Sequence, residues 1–142
     1  MTFQYAPAPE STAIVNINSS NDLFINGEFT PGHGNPFKTI NPATEEVLAE
    51  IAHANEEDVN AAVMAARKAY DKTWSKMSGR DRGKYLFRIA RLIQERSREL
   101  AVLETLDNGK PIRESRDVDV PIAAAHFFYH AGWADKLEFA GY

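Results

Sequence analysis

The sequence predicts an α+β segment in which β-hairpins come first and three long helices follow. Three observations carry that prediction. Asn26-Gly27, the strongest short hairpin signal, stands between the apolar run Leu23-Phe24-Ile25 and Glu28-Phe29. Alternation gives way after Asn55 to apolar residues at three- and four-residue steps. The last strong stop signal, Asn108-Gly109, divides that helical region in two.

Residues 1–22 read as a flexible or extended tail, poor in apolar periodicity, with Ala-Pro-Ala-Pro from Ala6 to Pro9 and a polar cluster from Asn16 to Asn21. The structured unit is expected over residues 23–142. After the first hairpin, the Gly/Pro-rich stretch Pro31 to Pro36 breaks the chain. Phe37 to Ile40 and Val47 to Ile51 then form a second antiparallel pair around the turn Asn41-Pro42-Ala43-Thr44.

Asn55 is a good helix cap, and Glu56, Glu57 and Asp58 favour the positive end of a helix. The stripe Val59, Ala62, Val63, Ala66 and Tyr70 carries this first helix to about Lys72. Ser78 with Asp81 resembles a capping box, and Tyr85, Ile89, Leu92, Ile93, Leu100, Leu103 and Leu106 predict one long helix from there to Asn108-Gly109. A third pattern runs from about Ile112 to Glu138 through Val118, Ile122, Ala125, Tyr129, Trp133 and Leu137, and Pro121 either kinks it or opens a new segment.

Composition narrows the function. The chain has 142 residues, 44% of them hydrophobic, and no cysteine, so it can build a core yet offers no thiol nucleophile and no thiolate metal site. Its 20 acidic against 16 basic residues give a net charge of −4, which disfavours nucleic acid as a partner. No apolar run approaches the roughly 18 residues of a membrane helix, and the first basic residue is Lys38, which fits neither a secretory signal nor a basic presequence. No membrane partner is expected, and a cytoplasmic location is the simplest expectation.

Four constellations invite a functional reading. Lys76, Arg80, Arg82, Lys84, Arg88, Arg91, Arg96 and Arg98 suit either a phosphate-binding face or a solvated one, and their position opposite the Leu/Ile stripe favours the solvated face. His126 and His130 have the spacing of two metal ligands on a helix, but no third ligand accompanies them, and His33 and His53 lie in unrelated segments. The aromatic cluster Phe127, Phe128, Tyr129 and Trp133 fits core packing better than a ligand channel. Asp117 and Asp119, two apart on a helix, point to different faces and form no proton-sharing dyad. There is no Gly-x-Gly-x-x-Gly, no P-loop and no Gly-x-Ser-x-Gly, so the residues show no self-sufficient catalytic set.

Five collinear strings then point one way: Phe24 to Phe29 (Phe-Ile-Asn-Gly-Glu-Phe), Ile40 to Thr44 (Ile-Asn-Pro-Ala-Thr), Asp58 to Arg67, Leu103 to Pro111, and Tyr129 to Lys136. In this order and spacing the chain from about Leu23 onward resembles the amino-terminal segment of NAD(P)-dependent aldehyde dehydrogenases. The stretch from Asp119 to Phe127 also resembles the long, tandem-domain members.

The resemblance implies an α/β parent enzyme in which these hairpins and helices flank a Rossmann-like sheet that the chain does not contain. It implies oxidation of an aldehyde to a carboxylic acid with NAD or NADP, a thiolate attacking the aldehyde, and a homo-oligomer when complete. The cysteine and glutamate of that chemistry fall outside these residues. The chain thus looks like the first quarter or third of an enzyme, inactive by itself, and no catalytic or cofactor-binding residue is assigned. An independent interaction module that assembles with another chain is the alternative. Two peripheral roles map onto the sequence by resemblance. Val118 and Ile122 match positions lining the tunnel through which the aldehyde enters, with burial in the helix core as the alternative. Asp107, with the carbonyls of Thr39 and Ile40, matches a structural Na⁺ or K⁺ site, with a hydrogen-bonding carboxylate at a helix end as the alternative.

Overall fold

The structure is a computed structural model that describes residues 10–139. Strands β2 (Leu23–Ile25) and β3 (Glu28–Thr30) pair antiparallel with Ile25 opposite Glu28. The turn between them places Asn26 at φ 55° and Gly27 at φ 88°. Both central residues thus have the left-handed backbone that a two-residue hairpin with the sheet's twist requires. Strands β4 (Phe37–Ile40) and β5 (Val47–Ile51) form the second antiparallel pair, with a bulge between Thr39 and Ile40.

Over residues 10–22 the expected tail differs from the structure. Thr12–Ile14 form a 3₁₀ turn capped by the Ser11 side chain, and β1 (Ser20–Asn21) adds a parallel strand to β5, giving the order β1-β5-β4. Glu10 is tied by the Arg98 guanidinium at 2.7 and 2.9 Å. The pairing of β1 with β5 and of Glu10 with Arg98 are long-range contacts, with no signature in local periodicity. Residues 1–9, the remainder of the expected tail, lie outside the described residues.

Helix α1 (Glu56–Lys72) starts as the sequence predicts: the Asn55 side chain accepts from the Asp58 N–H, and the Asp58 carboxylate accepts from the Asn55 N–H. At Ser78 the reciprocal box is only half formed, because Asp81 accepts from the Ser78 hydroxyl instead of its backbone N–H.

The long second helix is divided. Helix α2 (Gly79–Glu95) ends at Arg96, whose φ of −104° and ψ of 17° leave the helical region, and α3 (Ser97–Asn108) begins after it. Neither Gly nor Pro marks this break. Helix α3 terminates as expected at Gly109, with φ 77°, and a Cβ there would also stand 2.7 Å from Pro42 Cγ. The turn of the second hairpin is therefore seated against the end of α3.

In the third pattern, α4 (Ile112–Glu114) runs into a π-helical segment (Ser115–Asp119) and then α5 (Val120–Trp133). Pro121 has no N–H to give to the carbonyl four residues back, and the Val120 N–H reaches the Ser115 carbonyl instead.

Small residues make the core. Ala90, Ala101, Ala124 and Ser115 are buried, with Val102 and Val120, and the Thr105 hydroxyl donates to Ser115 Oγ at 3.1 Å. Along α2 and α5, Gly79 and Gly83 lie so close to the opposing backbone that a Cβ would meet the Ala134 and Ala131 carbonyl oxygens at 2.3 and 2.9 Å. Phe87 stacks edge-on against Phe128 beside this seam. The predicted stripes lie largely elsewhere: Val63, Tyr85, Leu92, Ile122 and Tyr129 are all about half exposed or more.

Candidate functional site

The end of α3 meets β4 at one point. Thr39 Oγ1 donates to Asp107 Oδ1 at 2.5 Å across 68 residues of sequence. The bulge between Thr39 and Ile40 interrupts the regular ladder where the two candidate carbonyls lie. A carboxylate in the last turn of a helix faces the partial negative charge of the helix end, and here a hydroxyl donor answers it. Carboxylate, hydroxyl and carbonyl oxygens are a hard donor set of the kind an alkali cation takes. Among the described residues no group of three or more His, Cys, Asp or Glu side chains could hold a metal ion.

Val118 lies in the π-helical segment and Ile122 in the first turn of α5. Their exposures are 40% and 50%, so neither belongs to the core of the described structure. Beside them, Lys110 pairs with Asp119. That carboxylate's hydrogen bond raises the Lys110 pKa above its ordinary value, while burial opposes. Asp117 instead takes the Arg116 guanidinium at 2.7 and 2.9 Å, so Asp117 and Asp119 have separate partners.

The basic tract is laced with carboxylates. Lys84 pairs with Asp81, Arg96 with Glu99, Arg91 with Glu95 at 3.7 Å, and Arg98 with Glu10. The three pairs within the tract are those of a solvated helix face, whereas the Glu10 carboxylate comes from outside the helix and is 7% exposed. His126 and His130 are both exposed on α5, and Tyr129 stacks on His130.

One cluster was not legible as a unit in the sequence. His33 Nδ1 lies 2.6 Å from Asp58 Oδ1, and the His33 backbone N–H donates to Asp58 Oδ2 at 2.9 Å. These bonds, with the Asn55 N–H, hold the Asp58 carboxyl at about 2. Gly32 and Gly34 flanking His33 are the available local signal, because glycines on both sides permit close backbone approach.

An open groove of about 790 Å³ is lined by Val15, Ile17, Leu48, Ile93, Leu100 and Leu103, with Thr39 and Asp107 also on its wall. Its apolar lining and the half-exposed faces of α1, α2 and α5 describe a layer whose apolar faces are only partly covered.

The chain belongs to the aldehyde dehydrogenase family: the family model described as "Aldehyde dehydrogenase family" matches residues 29–141. Among curated relatives, the mitochondrial aldehyde dehydrogenase family 2 member B4 of Arabidopsis thaliana is 47% identical over 121 residues, 84% of this chain and 22% of its own. The putative aldehyde dehydrogenase DhaS of Bacillus subtilis is 45% identical, over 85% of this chain and 25% of its own. Among solved structures, an NAD⁺ complex of an aldehyde dehydrogenase from Bacillus cereus superposes with a TM-score of 0.82 at 44% identity, over 85% of this chain and 25% of that one. The chain thus spans about a quarter of the relatives it matches, and its fold is that of their amino-terminal part.

Proposed function

We propose that these residues are the amino-terminal part of the coenzyme-binding domain of an enzyme that oxidises an aldehyde to a carboxylic acid with NAD or NADP. The observation that carries the reading is the superposition, at 44% identity, on part of an aldehyde dehydrogenase solved with NAD⁺. NAD(P) supplies the hydride acceptor when bound, and no glycine-rich phosphate cradle occurs here, so no residue of this chain is assigned to it.

The chain's own share of the work is scaffolding. Val118 and Ile122 would line the path of the aldehyde, a role their partial exposure leaves available. Asp107 and the Thr39 and Ile40 carbonyls would hold Na⁺ or K⁺ and fasten the second hairpin to α3. The thioester chemistry of the family needs a thiolate, and with no cysteine in the sequence these 142 residues by themselves oxidise no aldehyde. A homo-oligomer in the cytoplasm is the expected setting of the complete enzyme. No helix among the described residues is long and apolar enough to cross a membrane.

The test is an NAD(P)H-formation assay of the purified chain with a panel of aliphatic and aromatic aldehydes, beside a mock purification lacking it. No turnover is expected. Turnover exceeding the mock, and lost with the protein on immunodepletion, would overturn the inactivity. The polypeptide isolated from its source would also be weighed intact. A mass several times that of these residues, with NAD(P)-dependent aldehyde oxidation, supports the enzyme. A stable mass equal to theirs, in complex with another chain, favours the interaction module.

A further inference from the structure

The loop between β3 and β4 is pinned from two sides. On one side, the Gly34 N–H donates to the His53 carbonyl at 2.8 Å, and a Cβ on Gly32 or Gly34 would stand 2.4 or 2.7 Å from that same oxygen. On the other, His33 closes on both carboxylate oxygens of Asp58, by its backbone N–H and by its ring. The two partners differ sharply in access to water: the His33 side chain is 67% exposed and that of Asp58 is 6% exposed. A solvent-reachable imidazole thus fastens a loop to a buried carboxylate at the N-terminus of α1.

We propose that the His33–Asp58 contact is a pH-sensitive latch, closed on α1 while His33 is protonated and loosened when the imidazole loses its proton. This inference is independent of the enzymatic reading. An imidazolium gives Asp58 a hydrogen bond between opposite charges, whereas a neutral imidazole gives one charged on the carboxylate side alone, and only in the tautomer with its proton on Nδ1. The surrounding charges favour the cation. Asp58 and Glu57 face it from α1, His53 faces the loop from the connection after β5, and the partial positive charge of the α1 N-terminus opposes.

His33 is accordingly held above the ordinary histidine value, first by its hydrogen bond to Asp58 and then by that residue's charge, with burial opposing. The sign follows. A group whose pKa is raised in the closed state stabilises that state at low pH and loses the contribution as pH rises through the raised value. Asp58 stays ionised throughout, and the His33 backbone N–H still donates to it, so the loop loosens without detaching.

The experiment uses the 142-residue chain and two mass-spectrometric readouts across the neutral range. Histidine C2–H exchange gives the titration midpoint of each histidine, and amide exchange, corrected for its intrinsic pH dependence, follows peptides spanning 31–40. The expected result is a His33 midpoint above that of the same residue in the urea-unfolded chain, with protection of 31–40 falling as His33 deprotonates. The two are linked: a tenfold loss of protection requires a midpoint about one pH unit higher with the latch closed than open. In His33→Gln the pH step in the loop disappears, and Asp58→Asn lowers the His33 midpoint. If Asp58→Asn does not fold, the exposed His33→Gln substitution alone decides. A His33 midpoint equal to that in the urea-unfolded chain, or a loop step that persists in His33→Gln, overturns the latch.

Discussion

Asp107 occupies a position that costs a helix stability, and the hydroxyl of Thr39 is its one hydrogen-bond partner among the described residues. Two explanations of that carboxylate separate cleanly in solution. If it holds a cation, stability depends on Na⁺ or K⁺ at constant ionic strength, through linkage of binding to the folded state. Melting curves of the chain and of Asp107→Ala would be compared in sodium, potassium and a bulky organic cation. We expect the alkali-ion response only in the unsubstituted chain; equal responses in both leave the hydrogen bond as the whole role. Asp58 gives a second residue-scale prediction. Its folded pKa of about 2 lies below the ordinary carboxylate value of 3.8. Its contribution is therefore present above about pH 4 and lost as pH falls toward 2. Urea melts across that window should show an acid loss of stability that is smaller in Asp58→Asn.

At the scale of elements, the seam between α2 and α5 decides how the helices sit. Helix propensity alone says that Gly83→Ala in α2 stabilises by ~1 kcal/mol. The structure reverses the sign, since the new Cβ would stand 2.9 Å from the Ala131 carbonyl oxygen and the backbone of α5 would have to yield. A net loss of about 1–3 kcal/mol is expected, read from denaturant melts, whereas a gain would mean the helices are not this close. The same seam explains why the apolar stripe of α5 is not its buried face. Periodicity weights large apolar residues, and the stripe Val118, Ile122, Ala125, Tyr129 and Trp133 stands out. The buried positions of α5 are instead Val120 and Ala124, because two helices in close contact need small side chains between them.

For the whole molecule, the faces that periodicity finds are those left open. Val59, Val63 and Met64 on α1 and Tyr85, Ile89 and Leu92 on α2 keep 40–68% exposure. Apolar faces of this extent mark interaction surfaces, and in a chain that spans a quarter of its relatives the rest of the enzyme is their proposed cover. The isolated chain should self-associate or bind a hydrophobic dye. Sedimentation that gives a monodisperse monomer, together with no dye binding and a cooperative melt, would show that the described core suffices.

What the sequence determined by itself are the locally encoded features. The Asn26-Gly27 hairpin, the Asn55 cap, the stop at Gly109 and the Asn41 to Thr44 turn each depend on backbone preferences and hydrogen bonds within a few residues. The collinear motifs determined the family because their order and spacing are written along the chain itself. Tertiary structure alone decided the parallel strand at Ser20–Asn21, the break at Arg96, the closing of His33 on Asp58 and the contact of Thr39 with Asp107. These join residues distant in sequence, or answer to packing on several elements at once, and so leave no mark on propensity or period. Between the two lies Pro121, which announces a disturbance in the third helix, while the backbone chose the form it took: a π-helical turn that buries Ser115 against Thr105 and carries Val118.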